Sequence, residues 1–141
     1  MIKILLLLIL SVVSLQGFLA AESDRDELLR QKEALHAAIK IQPNDAELWM
    51  KLGFLQKDLG EWDEALANFQ KVIEIDPQKV KAYYLVALIK ERKIKAVPAG
   101  DRERVKAQAI QAWEKCLQVS EDAKVREVAQ KHLNRLKASR E

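Results

Sequence analysis

The stretch AELWMKLGFLQKDLGEWDEALANFQKVIEIDPQK, residues 46–79, decides the fold. Features in and around it recur at a spacing of 34 residues, because Pro43 is matched by Pro77 and Trp49 by the aromatic residue Tyr83. A period of this length is typical of repeats built from one pair of helices. One such pair cannot bury its apolar face alone, so neighbouring repeats must stack. The spacing therefore predicts an all-α helix–turn–helix solenoid, a fold that usually serves binding.

The residue types inside the period narrow the class of repeat. A tryptophan, a leucine–glycine pair, an A-x-x-x-F step and a closing proline occupy Trp49, Leu52, Gly53, Ala65, Phe69 and Pro77. This pattern resembles the tetratricopeptide repeat, with Gln56 in place of the usual tyrosine. The resemblance implies a pair of closely packed helices in each repeat. It also implies that the first helix of each pair lines a concave binding face.

The rest of the chain divides around this repeat. Residues 80–121 are interpreted as a degenerate second repeat, and the alanine slot of its second helix comes ten positions late. We therefore expect an insertion near 90–106, where the turn between its helices expands. Residues 22–43 match only the second helix of a repeat, and residues 122–141 are expected to form a C-terminal capping helix. The prediction is about two tetratricopeptide repeats with flanking capping helices.

Residues 1–21 have a different character. A basic residue, Lys3, precedes the apolar run Ile4–Leu10, and the segment ends in the small residues Ala20 and Ala21. This order is typical of a secretory signal peptide and predicts an exported protein, periplasmic or secreted. An uncleaved N-terminal anchor is the alternative, because Leu19 stands where a small residue is preferred at a cleavage site.

Local signals predict where the helices of the mature chain begin and end. The first is expected over Asp24–Ile41, and Asn44 is expected to cap the next one. Gly60 should end that helix in the left-handed conformation. Asp101 and Ser120 are the predicted N-caps of the last two helices.

The chemistry of the chain does not point to an enzyme. His36 and His132 each stand alone, without a partner at metal-ligand spacing. The single cysteine, Cys116, is best explained as a small core residue, and a redox thiol is the less favoured reading. The net charge of +3 is too small to indicate nucleic acid. We therefore predict no catalytic residues, no metal and no cofactor.

A partner-binding surface is the expected functional site. The resemblance places on the concave face Met50, Phe54, Lys57, Lys81, Tyr84, Leu88 and Arg92. An apolar centre with cations around it suits an amphipathic or apolar segment of a protein partner. The alternative is that the chain's own first helix covers this surface. A basic patch on the insertion, around Lys93 and Arg102, is the second candidate surface.

The sequence therefore predicts a protein–protein interaction module that acts as an exported scaffold or assembly factor. Two other functions stay open. The chain could be a membrane-tethered subunit of an envelope complex, held by residues 1–21. It could also be an accessory factor of a thiol or haem assembly pathway that uses Cys116.

Overall fold

In the computed structural model, six helices form the described part of the chain, which covers the backbone of residues 2–139 and the side chains of residues 22–139. The helices are α1 (Ile2–Ile41), α2 (Ala46–Asp58), α3 (Trp62–Ile75), α4 (Val80–Ala96), α5 (Ala99–Val119) and α6 (Ala123–Ala138). The predicted cleavage site after Ala21 lies outside the side chains described. Within residues 22–139, no helix has the length and apolar character needed to cross a membrane.

The helices pack in the order in which the chain makes them. α2 packs on α3, and α4 packs on α5, so each predicted repeat is one helical hairpin. α3 also packs on α4 and joins the two hairpins, while α1 flanks α2 and α6 flanks α5. The predicted all-α solenoid is confirmed, and the predicted first helix is the C-terminal part of α1.

Close approach of α2 and α3 explains the small residues of the first repeat. A Cβ atom placed on Gly53 would lie 2.6 Å from the ring of Phe69. Ala65 and Phe69 are both fully buried at this contact. Any larger side chain at position 53 would push the two helices apart, so the glycine is needed for space and not for backbone freedom.

The residue that departs from the repeat pattern has its own partner. Gln56 occupies the tyrosine slot and is buried, and its Oε1 accepts a hydrogen bond from Nδ2 of Asn68 on α3. A buried amide without a partner would be costly, so the two residues act as a pair. This polar contact replaces the apolar filling that a tyrosine ring would supply.

The insertion in the second repeat lengthens helices and does not form a loop. α4 has 17 residues and α5 has 21, against 13 in α2 and 14 in α3. Val97 and Pro98 make the short joint between them, where Pro98 can begin α5 but could not continue α4. The expected expanded turn is therefore a hairpin that projects further than that of the first repeat.

One predicted helix boundary is confirmed and one is corrected at α2. Gly60 has a φ of 80°, the left-handed conformation expected just after a helix. Asp45, and not Asn44, caps the start of α2, because its Oδ1 accepts from the backbone N–H of Glu47 at 2.8 Å. The acid is one residue closer to the first turn and carries the charge that favours a helix N-terminus.

The predicted caps of α5 and α6 are also displaced. Asp122 caps α6 by accepting from the N–H groups of Lys124 and Val125. Ser120 is buried at the end of α5 and does not cap α6. α5 begins before Asp101, because Pro98 already supplies the φ of a helix start.

Candidate functional site: a groove along α4

Two adjoining clefts run along α4, and together they form what we call the α4 groove. The first has a volume of 320 Å³ and is lined by Lys57, Trp62, Leu85, Leu88, Ile89 and Arg92. The second has a volume of 530 Å³ and is lined by Leu88, Glu91, Arg92, Lys95, Ala96, His132 and Arg135. Leu88 and Arg92 belong to both clefts. The groove therefore lies between α4 and its neighbours, with α2 and the start of α3 on one side and α6 on the other.

Three of the residues predicted to bind a partner meet in this groove. Leu88 and Arg92 line both clefts, and Lys57 reaches the first cleft from α2. They come from two helices, α2 and α4, because stacking places the first helices of the two repeats side by side. The repeat pattern in the sequence was the signal that predicted their proximity.

Met50 is a correction, because the structure buries it. Only 4% of Met50 is exposed, and its side chain belongs to the core cluster that includes Phe69 and Val72. Its flexible apolar side chain fills space in the core between the packed helices. Met50 therefore contributes to stability and does not form part of an open surface.

Phe54, Lys81 and Tyr84 lie beside the groove in aromatic contacts. The Phe54 ring meets Phe69 edge-on, with centroids 5.4 Å apart, and Nζ of Lys81 lies 4.7 Å from the Phe54 centroid. Tyr84 meets Trp113 in the same edge-on way at 5.4 Å. Phe54 and Tyr84 are each partly buried. α1 flanks Phe54 on one side without covering it, so neither a fully open nor a fully covered surface is correct here.

Trp62 is a groove residue that the sequence reasoning missed. The guanidinium of Arg92 stacks over its ring at 4.2 Å from the centroid. The stack holds a long, flexible cation in a defined place at the edge of the groove. The available signal was an aromatic residue directly after the turn at Gly60, on the side of the hairpin that faces the next repeat.

Glu91 ties three helices together at the floor of the second cleft. Its Oε2 accepts from Nε1 of Trp113 at 2.8 Å and lies 2.7 Å from Nδ1 of His132, while Arg135 donates to Oε1. Burial alone would raise the pKa of Glu91, but the hydrogen bonds from His132, Arg135 and Trp113 outweigh it and lower the pKa. The carboxylate is therefore charged and fully engaged, and it fixes α4 to α5 and α6.

Positive charge dominates what the groove offers to a ligand. Its lining includes Lys57, Arg92, Lys95 and Arg135, and the one carboxylate among the lining residues is Glu91. Arg135 is already bonded to Glu91, and Lys57 pairs with Asp58 at 2.5 Å, so among the described residues Arg92 and Lys95 are the groove cations without an ion pair. The floor between these cations is apolar, formed by Leu85, Leu88 and Ile89. This combination suits a segment that carries both apolar and acidic side chains.

The basic patch predicted on the insertion is largely compensated. Lys93 pairs with Asp63 of α3, and Arg104 pairs with Asp101 at 2.9 Å. Lys106 pairs with Glu103 and also donates to the carbonyl of Ser139 at 2.6 Å. Lys93 and Lys106 join the long hairpin to α3 and to the end of α6, while Arg104 is paired within α5, so the patch is weaker as an anion-docking surface than its composition suggests.

Catalytic and metal chemistry find little support in the part of the chain that the structure describes. No group of three histidine, cysteine or carboxylate residues within it could hold a metal ion. Burial raises the pKa of the Cys116 thiol to about 11, which suppresses the reactive thiolate at neutral pH. His132 stacks on Trp113 with centroids 4.3 Å apart, so it acts as a packing residue.

Packed hairpins of this kind define the class as a helical-repeat solenoid, and comparison with known proteins identifies the repeat. The family model described as tetratricopeptide repeat matches residues 46–79. The chain therefore contains a tetratricopeptide repeat at these residues. It is 37% identical over 57 residues to TPR repeat-containing protein MJ0941 of Methanocaldococcus jannaschii, a match that covers 40% of this chain and 17% of that protein. The chain thus spans a small part of this curated relative.

Solved structures with the same fold include two that cover most of the chain. The type III secretion translocator chaperone SycD of Yersinia enterocolitica has a TM-score of 0.65 at 12% identity, covering 81% of this chain and 74% of that one. The TPR2B domain of yeast Sti1, solved in complex with pHsp70, has a TM-score of 0.61 at 21% identity, covering 82% and 87%. At these identities the likeness shows the fold. That fold indicates a protein–protein interaction module, generally a non-catalytic scaffold.

Proposed function

We propose that this protein is a scaffold or assembly factor that binds a segment of a protein partner in the α4 groove. The observation that carries the proposal is the apolar floor at Leu88 with the cations Arg92 and Lys95 beside it. An amphipathic segment with acidic residues would bury its apolar side chains on this floor and pair its carboxylates with Arg92 and Lys95. Trp62 supports this role by holding Arg92 in place.

The proposal includes export and the absence of enzyme activity. Residues 1–21 carry the order of a signal peptide, so the scaffold acts in the periplasm or outside the cell. Intact-mass measurement of the mature protein tests this part. A mass that begins at Glu22 supports export with cleavage, whereas a mass that retains Met1–Ala21 supports the membrane-tethered alternative.

Site-specific photo-cross-linking tests the binding site. A photoreactive residue is placed at Leu88, and the full chain is expressed in its host. A discrete protein adduct is expected at position 88, because that side chain lies at the centre of the groove. The matched control places the same residue at Lys131, an exposed position on α6.

A second change in the same chain decides whether the adduct depends on the groove. Arg92→Glu should reduce cross-linking from position 88 by about tenfold, because reversing a positioned charge removes attraction and adds repulsion. Lys131→Glu makes the same charge change on α6 and should leave the yield unaltered. Equal adducts from positions 88 and 131, or a yield indifferent to Arg92→Glu, would contradict the proposed site.

A further inference from the structure

At the N-terminal end of the solenoid, no helix among the described residues occupies the first-helix position beside α1. α1 occupies the place of the second helix of a repeat, because Leu35 and Ala38 correspond to Phe69 and Val72 one period later. In the two hairpins, such a helix is packed by the first helix of its own repeat. α1 instead continues as one helix back to Ile2. Its N-terminal part therefore does not fold back against the rest of α1 as a first helix.

A cleft of 560 Å³ lies where that first helix would pack, and we call it the N-terminal slot. It is lined by Leu28, Gln31, Ala34 and Leu35 of α1 and by Lys51, Phe54, Leu55 and Asp58 of α2. The residues from each helix span two turns, and at a rise of about 1.5 Å per residue the slot is about 10 Å long. These dimensions match the contact stripe of one helix of two to three turns.

Apolar surface is uncovered at this position. Leu28, Leu35 and Phe54 are each partly exposed, and Leu29 beside them is 38% exposed. The other end of the solenoid differs, because α6 packs on α5 and buries Leu133 and Leu136 there. A stacked repeat protein needs a cap at both ends, so the contrast indicates that the N-terminal end accepts a cap from elsewhere.

Charges at the two ends of the slot set the direction of such a helix. Short connections make α1 antiparallel to α2, so a helix that pairs with α1 as a hairpin partner runs parallel to α2. Its N-terminus then lies near Lys51 and its C-terminus near Asp58. Acidic residues favour a helix N-terminus and basic residues a C-terminus, so the slot complements the usual charge distribution of a helix.

We propose that the N-terminal slot binds one amphipathic helix of a partner protein, which completes the half repeat. The helix carries an apolar stripe for Leu28, Leu35 and Phe54, an acidic residue near Lys51 and a basic residue near Asp58. This surface is separate from the α4 groove, and the proposal goes beyond the function assigned to that groove. Failure of one site leaves the other intact.

The chain itself supplies a suitable probe. A peptide of residues 44–60 contains α2, which is the first helix of a complete repeat, with Glu47 near its start and Lys57 near its end. A fluorescent label on this peptide allows its binding to the full-length chain to be followed by anisotropy. Saturable binding is expected. Leu35→Glu should weaken it by about tenfold or more, because it places a charge on the apolar floor.

A charge exchange tests the direction of the bound helix. Lys51 is exposed, so Lys51→Glu should leave the melting temperature unchanged while it weakens peptide binding by about three- to tenfold. The peptide with Glu47→Lys should recover that loss on the Lys51→Glu chain. Lys131→Glu on α6 is the matched control and should bind the original peptide like the unaltered chain. This test does not depend on whether Leu35→Glu folds.

Three results would overturn the proposal. One is an absence of saturable binding by the unaltered chain. Another is binding that survives both Leu35→Glu and Lys51→Glu at full strength, which would place the peptide elsewhere. The third is a dimer of the full chain in sedimentation that Lys51→Glu, and not Lys131→Glu, dissociates, because the slot would then hold a second copy of this protein.

Discussion

The two repeats fill equivalent buried positions with different side chains. In the first, Phe69 and Ala65 meet Gly53 across a short hairpin. In the second, Trp113 fills the slot of Phe69 and Ala109 the slot of Ala65, although the chain between the helices is ten residues longer. The two large side chains and both alanines are fully buried. The comparison shows that the buried contacts at the base of a helical hairpin can be retained while the helices lengthen at its tip.

Geometry explains why the longer spacing is tolerated. Extra residues at the tip of an antiparallel pair extend both helices outward and leave the contacts at the base in register. The extension then gains its own partners, since α6 packs along α5 and Val105 and Leu136 are both buried in that region. The second repeat is therefore less compact than the first, and its longer helices form a surface that includes the α4 groove.

Truncating the two large side chains is the strongest test of this equivalence. Phe69→Ala and Trp113→Ala should each lower the free energy of unfolding by about 3–5 kcal/mol, as for other large buried aromatics. Trp113→Ala should cost the more of the two, because it also removes the indole N–H that Glu91 accepts. Denaturant unfolding monitored by circular dichroism measures both. A loss below about 1 kcal/mol for Trp113→Ala would show that the second repeat does not depend on this slot.

Enlarging the two alanines tests the same equivalence from the opposite direction. Ala65→Leu and Ala109→Leu should each cost about 1–3 kcal/mol, because both positions are fully buried between packed helices. Ala67→Leu on the exposed face of α3 serves as the control and should change the melting temperature little. If Ala109→Leu were harmless while Ala65→Leu was not, α4 and α5 would pack more loosely than α2 and α3.

Glu91 distinguishes the second repeat from the first, and its charge gives a pH dependence. Because its pKa is lowered in the folded chain, its contribution to stability is present above the ordinary glutamate pKa of about 4.3 and is lost as the pH falls through the folded value. Glu91→Gln should therefore cost about 1–2 kcal/mol near pH 7 and progressively less below pH 4.3. Unfolding curves of both chains across this range measure the difference. A difference that grew on acidification would contradict the assignment.

The fold was predictable from the sequence, but the side-chain contacts of the candidate site were not. Period and motif were enough for the hairpins, the packing at Gly53 and the turn at Gly60, since these depend on local spacing. Burial of Met50 was not accessible, because a first-helix residue can face either the groove or the second helix. The Arg92–Trp62 stack and the Glu91 contacts with His132 needed coordinates, since their partners are 30 and 41 residues apart with no shared pattern.

The smallest predicted effect concerns the ion pair that joins the two repeats at the long hairpin. Lys93 on the extension of α4 pairs with Asp63 at the start of α3, and both side chains are substantially exposed. Exposed pairs contribute about 0–1 kcal/mol, so Lys93→Ala should lower stability within that range and lose its effect as salt screens the charges. A double-mutant cycle with Asp63→Ala isolates the pair from the separate effects of each side chain. A coupling energy well above 1 kcal/mol would mean that this ion pair fixes the extension of α4 to the first repeat. A coupling near zero would leave the apolar contacts along α5 and α6 as its main support.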